Sequence, residues 1–121
     1  MTGRLVDSSV IISLLKGTLS EEWRKKIRSE RQAISSLTYY EVCRYYALAG
    51  KSRQLEDVKP VLTEFDVLPP TREICEAAAT PHLAQKLASI DSLIYATAQL
   101  NKLELITRDN DFTGLPGTTV I

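Results

Sequence analysis

From Leu93 to Leu100 nearly every residue is apolar or small: Leu93, Ile94, Tyr95, Ala96, Thr97, Ala98 and, beyond Gln99, Leu100. A helix with this sequence has no wide polar face, so it must be buried on more than one side. Ala96, Thr97 and Ala98 are small enough to let it lie close against a sheet. Ser89 is the expected N-cap, which places Asp91 in the first turn. A carboxylate there complements the positive end of the helix dipole. Beside so buried a segment, a charge is costly unless it is paired or binds a cation.

The rest of the chain supplies strands for such a helix to cover. Arg4-Leu5-Val6 is a short apolar strand that stops at Asp7. Ser8 or Ser9 opens a helix with an apolar body of Val10, Ile11, Ile12, Leu14 and Leu15, closed by Gly17. Ser20 caps a second helix, with Trp23 and Ile27 toward the core. Arg24, Arg28 and Arg31 form a basic stripe beside them, read as a solvated face with an RNA contact as the alternative. Ala33 to Ser36 is a second strand. Thr38 is the expected cap of a long helix through Leu48, which puts Glu41 in its first turn. The four tyrosines of that helix, Tyr39, Tyr40, Tyr45 and Tyr46, suit core packing, base stacking or a protein interface.

Ser52 to Phe65 reads as helical, with Pro60 kinking or splitting it. Asp66 to Pro69 is a third strand. Thr71 caps Ile74 to Ala79, Thr80-Pro81 interrupts, and His82, expected on the surface, begins the lead into the buried helix. Leu103 to Ile106 is a buried strand and Thr119 to Ile121 a last, edge strand. Strands alternating with helices predict an α/β fold with a mostly parallel sheet. The length of 121 residues, with no repeat or linker, predicts a single domain spanning residues 1–121.

Charge and cysteine usage narrow the chemistry. The formal net charge is zero, so no bulk field announces a nucleic-acid partner, although local patches are not excluded. Cys43 and Cys75 have no CxxC neighbour and His82 is the only histidine, which argues against zinc. The two cysteines read as buried free thiols in a reducing compartment. No segment reaches membrane-spanning length and the N-terminus has no signal-peptide pattern, so the expected location is cytoplasmic, with no membrane partner.

In a parallel sheet, ligands bind outside the carboxyl ends of the strands. Asp7 follows the first strand, Glu41 comes soon after the second, Asp109 lies a turn beyond the fourth, and Asp91 opens the buried helix. Gathered on one edge, these carboxylates would repel strongly: a pair about 4 Å apart costs about 4 kcal/mol at an effective dielectric near 20. Oxygen-only donors suit a hard cation, Mg2+ or Mn2+, which serves phosphoryl chemistry. Each acid also has a local explanation. Asp7 fits a helix cap, Glu41 a dipole partner, and Asp109 and Asp111 turn residues. Their joint placement favours the shared site.

The segments Leu5-Val6-Asp7-Ser8-Ser9-Val10, Leu37-Thr38-Tyr39-Tyr40-Glu41-Val42, Ile90-Asp91-Ser92-Leu93-Ile94-Tyr95-Ala96-Thr97-Ala98 and Leu105-Ile106-Thr107-Arg108-Asp109-Asn110-Asp111-Phe112 together resemble a PIN domain. More narrowly they are similar to the VapC-type ribonuclease toxins of prokaryotic toxin–antitoxin pairs. The resemblance implies a three-layer α/β/α fold and Mg2+- or Mn2+-dependent endonucleolytic cleavage of RNA. It also implies a homodimer and a cognate antitoxin. Asp7, Glu41, Asp91 and Asp109 match the family's acidic positions. By the same resemblance Asp7, Asp91 and Asp109 hold metal, and Glu41 completes the site or orients water. Asp111 is a further candidate, and Thr107 is expected to hydrogen-bond a ligand carboxylate. Arg108, Arg24 and Arg28 are candidate phosphate contacts. Ser9 stands near where many relatives carry asparagine.

A housekeeping RNA-processing PIN nuclease would present the same site, so the acids alone do not separate it from a toxin. Two other classes fit less well. A phospho-acceptor signalling domain needs paired acids after the first strand, where Ser8-Ser9 stand, and an aspartate ending the third, which Asp66 instead begins. A haloacid-dehalogenase-type phosphatase needs an aspartate where Ser9 stands.

Overall fold

The computed structural model describes residues 3–121. Five strands, β1 (Arg4–Val6), β2 (Ala33–Ser35), β3 (Asp66–Leu68), β4 (Glu104–Thr107) and β5 (Thr118–Val120), form one sheet in the order β3-β2-β1-β4-β5. Every pairing is parallel. Seven helices are present among the described residues: α1 (Ser8–Lys16), α2 (Glu21–Arg28), α3 (Ser36–Leu48), α4 (Ser52–Leu62), α5 (Arg72–Ala78), α6 (Pro81–Lys86) and α7 (Ser89–Leu100). A single 3-10 turn, Asn110–Phe112, follows β4.

The three layers follow from the two-residue period of the strands. Val6, Ile34 and Ile106 point to one face and pack with Val10 and Ile11 of α1, Ile27 of α2, Val42 and Tyr46 of α3, and Leu62 of α4. Leu5, Ala33 and Leu105 point to the other and pack with Leu83 of α6 and Ile94, Tyr95 and Ala98 of α7. Ala96 of α7 turns away from the sheet toward Ile74 and Ala78 of α5, so α7 is covered on two sides, as its composition demands. Both faces of the central strands are therefore dry, and Leu5, Val6, Ile34, Leu105 and Ile106 are fully buried.

Several boundaries differ from those expected. Helix α3 starts directly at the end of β2, with Ser35 as its N-cap: the Ser35 Oγ accepts the Leu37 N–H at 3.0 Å. Thr38 lies inside the helix, fully buried, and Glu41 therefore falls past the first turn. The hydroxyl residues at 35, 36 and 38 compete for the cap, and the abrupt end of β2 decides for Ser35. Ala88, not Ser89, occupies the N-cap of α7, although Asp91 stays in the first turn. Helix α2 ends at Arg28, so Arg31 leaves the basic stripe and pairs with Asp66 at 2.6 Å. Pro60 does not split α4, which runs on to Leu62. Pro81 starts α6, where no N–H is needed. Cys43 is half-buried and Cys75 exposed, so the thiols are free but not core residues. No helix among the described residues is long and apolar enough to cross a membrane.

Gly117 delivers the chain to β5 with φ +75°, and a Cβ there would stand 2.8 Å from the Gln99 Nε2. That nitrogen donates to the Pro116 carbonyl, which also accepts the Tyr95 hydroxyl. Gly117→Ala is expected to cost about 1–2 kcal/mol, from the left-handed backbone and the displaced Gln99. Thermal melts check this, and an unchanged melting temperature would mean that β5 relaxes freely.

Candidate active site

Because all strands run one way, β1 and β4 end side by side, and both release acidic residues at the same edge. The Asp7 N–H donates to the Ile106 carbonyl at 2.9 Å, extending the β1–β4 pairing by one step. Asp7 occupies the N-cap position of α1, yet its carboxylate makes no cap hydrogen bond. Its Oδ2 instead accepts from the Ser9 Oγ and the Thr107 Oγ1, each at 2.8 Å. The simple cap reading of Asp7 is thus excluded, and a buried carboxylate is oriented by two hydroxyls.

The chain of bonds continues outward. Thr107 Oγ1, having given its proton to Asp7, accepts the Asp109 N–H at 3.0 Å. Asp109 Oδ1 accepts the Asp111 N–H at 2.9 Å, which opens the 3-10 turn and ties down both acids. Fully buried Phe112 anchors that turn in the core. Helix α7 then brings in Asp91. One carboxylate oxygen each from Asp91, Asp109 and Asp111 lie within 4.8 Å of one another.

Asp7 and Glu41 stand outside this tight trio but within its field. Burial first, then the charges of Asp109, Asp7 and Asp111, push the Asp91 carboxyl from 3.8 up to about 6. Burial and the Asp7 charge raise Glu41, opposed by the Ser8 hydroxyl, with Asp91 adding to the rise. Glu41 Oε1 is buried without a hydrogen-bond partner. An orphaned buried acceptor beside acids that resist ionisation fits a cation: positive charge relieves both conditions at once. The donors are all oxygens, which suits a hard divalent ion.

Of the arginines expected near the substrate, only Arg108 adjoins the carboxylates in the fold. Arg28 lines a groove of about 270 Å³ with Gln32 and Phe65, at the amino ends of β2 and β3, away from the acidic edge. Arg24 is exposed and donates to the Leu19 carbonyl at 3.3 Å. The sequence left Ser9 without a role and Ser13 unrecognised. Ser9 links Asp7 to the Arg108 N–H, which it accepts at 3.0 Å. Ser13, one helical turn on, accepts from the Arg108 guanidinium at 2.8 Å. Their spacing of four on a helix that leaves an acidic strand end was the available signal.

Thr107→Val removes a donor from Asp7 and an acceptor from Asp109 in one step. Groups that orient metal-binding carboxylates typically matter about 10- to 100-fold. Affinity for a divalent cation is expected to fall by that factor, read as the Mn2+ concentration needed to raise the melting temperature. An unchanged Mn2+ dependence would show that Asp7 needs no such support.

The PIN domain family model matches residues 4–117. Among solved structures, the chain is similar to a toxin–antitoxin complex from Klebsiella pneumoniae, with a TM-score of 0.81 and 29% identity over 98% of this chain and 97% of that one. It is also similar to VapBC-5 from Mycobacterium tuberculosis, a member of the VapBC family of toxin–antitoxin systems (TM-score 0.68, 25% identity, 99% of this chain and 97% of that one). DNA-bound VapBC from Salmonella typhimurium shares the fold (TM-score 0.79, 20% identity, 100% of this chain and 98% of that one). No curated protein matches. With the family match running from the first residue of β1 to the turn into β5, and the acids gathered where that fold ends its strands, the chain belongs to the PIN domain family.

Proposed function

We propose that this protein is a divalent-metal-dependent endoribonuclease, the toxin of a toxin–antitoxin pair, and that residues 1–121 act as one nuclease domain. The observation that carries the reading is the meeting of the Asp91, Asp109 and Asp111 oxygens within 4.8 Å, beside Asp7 and the orphaned Glu41. Likeness to the Klebsiella toxin–antitoxin complex supports the toxin assignment and a cognate antitoxin as partner. A homodimer and action on cytoplasmic RNA belong to the same reading.

Mg2+ or Mn2+ would be held by Asp91 and Asp109, with Asp7 behind them and Asp111 completing the set. When bound, the ion supplies Lewis-acid stabilisation of charge on the phosphate and acidifies water. The protein's own groups do the rest. Ser9 and Thr107 fix the Asp7 carboxylate, and the Thr107–Asp109–Asp111 bonds hold the loop acids in place. Glu41, with its raised affinity for a proton, orients the attacking water and accepts hydrogen from it. Asp7, Glu41, Asp91 and Asp109 form the catalytic set.

A phospho-acceptor role is disfavoured by Asp66, which begins the edge strand β3 and is tied to Arg31. The purified protein should cut members of a single-stranded and structured RNA panel with Mg2+ or Mn2+, and none with a chelator. Cleavage that persists in chelator, or no cleavage of any RNA with either ion, would reject the reading.

A further inference from the structure

Arg108 is flanked by the acidic edge and sits next to Asp109 in sequence, yet among the described residues it forms no ion pair. Its side chain is held elsewhere. The guanidinium NH1 donates to Ser13 Oγ at 2.8 Å, and its backbone N–H donates to Ser9 Oγ at 3.0 Å. Ser13 is a buried residue of α1. Its single hydroxyl proton goes to the Ser9 carbonyl at 3.0 Å, so its lone pairs are left for a donor, and Arg108 provides it. The loop itself does not require this bond. The Arg108 backbone, the Thr107–Asp109 and Asp109–Asp111 bonds and buried Phe112 already hold it. The bond therefore determines where the guanidinium is, not where the loop is.

Resting on the ribonuclease reading above, we propose that Ser13 is a positioning residue that holds Arg108 as a phosphate grip for the RNA strand beside the carboxylates. One guanidinium nitrogen is taken by Ser13, and the remaining N–H donors of an exposed side chain stay open for phosphate oxygens. Arg108 also lines a groove of about 540 Å³ between α2 and β5, with Leu19, Ser20, Trp23, Thr119, Val120 and Ile121. A strand entering along that groove meets the Arg108 charge before it meets the carboxylates. Kept off Asp109 and Asp7, the guanidinium neither neutralises them nor competes with a cation for them.

The test measures binding of a short fluorescent single-stranded RNA by anisotropy, in an Asp91→Asn background that does not cut. Arg108→Ala is expected to weaken binding about tenfold, as for one charge-assisted hydrogen-bonding contact. It should also lower the slope of log affinity against log salt by about 0.7, one phosphate on a single strand. Ser13→Ala is expected to weaken binding about threefold when Arg108 is present, less than loss of the arginine because the guanidinium keeps its charge but is no longer held. When Arg108 is already alanine, Ser13→Ala should have no further effect. Equal losses from Ser13→Ala in both backgrounds would make Ser13 a packing residue and overturn the proposal, as would wild-type affinity in either single variant. RNA that is bound and, with Asp91 intact, cleaved, but is indifferent to both substitutions, refutes this inference alone. A parent protein with no affinity for RNA refutes the ribonuclease reading with it.

Discussion

Asp91→Asn is expected to abolish cleavage and at the same time to make the metal-free protein more stable. The two effects have one cause. Asp91 lies where burial and three other carboxylates make its charge unfavourable, which pushes its carboxyl up to about 6. After screening at this half-exposed site, the unfavourable charge is worth about 1 kcal/mol. Asparagine keeps the shape and removes the charge, so the melting temperature without metal should rise. The loss of rate should exceed about 100-fold, since groups that only orient such carboxylates already matter by up to that factor. Cation binding should weaken as well. At about a hundred times its dissociation constant, a metal stabilises by about 2.7 kcal/mol, a shift of several degrees for wild type. Equal Mn2+-induced shifts in wild type and Asp91→Asn would place the ion elsewhere. In a bacterial host, wild-type expression should arrest growth and Asp91→Asn should relieve it. Harmless wild type at confirmed soluble levels would count against the toxin and leave the nuclease standing.

The second large effect is on the pH dependence of stability. For Asp91 the folded-state pKa, about 6, lies above the unfolded value of 3.8. Between those values the folded protein binds more protons than the unfolded chain, so stability falls as pH rises through about 4 to 6 and stays low above. Glu41 is shifted in the same direction by burial and by Asp7, and adds to the fall. Subtracting wild-type melting temperatures from those of Asp91→Asn, both in chelator, cancels the titration of distant groups. The difference should be near zero at about pH 4 and open to its full size above about pH 6. Excess Mn2+ should reverse the trend, because protons compete with the ion: its stabilisation of wild type grows as Asp91 and Glu41 ionise. A difference that is flat from acid to neutral pH would mean that Asp91 keeps an ordinary acidity, and the crowding of carboxylates would have no energetic consequence.

What the sequence determined by itself is what local pattern encodes. The consecutive apolar pairs Leu5-Val6, Ala33-Ile34 and Leu105-Ile106 specified strands that are dry on both faces, because successive side chains in a strand point opposite ways. The all-round apolar surface of Leu93 to Leu100 specified a helix covered on two sides, and the sheet and α5 cover it. Strand–acid–helix order, with the family motifs, pointed to an acidic edge. Tertiary structure alone decided which acids meet. Asp91 and Asp109 join Asp111, a turn residue by local pattern and a further candidate by resemblance, because the 3-10 turn after β4 and the start of α7 converge although distant in sequence. It also decided the register of α3, where the end of β2 selected Ser35 over Thr38 and moved Glu41 a turn deeper. The bonds from Ser9 and Ser13 to the β4 loop span 99 and 95 residues. Hydrogen bonds of that range carry no periodic trace in the chain, since nothing about a serine on a helix tells which distant donor will face it. Hydrophobic period reports the faces of an element, whereas the partners across a parallel sheet exist only once the sheet has closed.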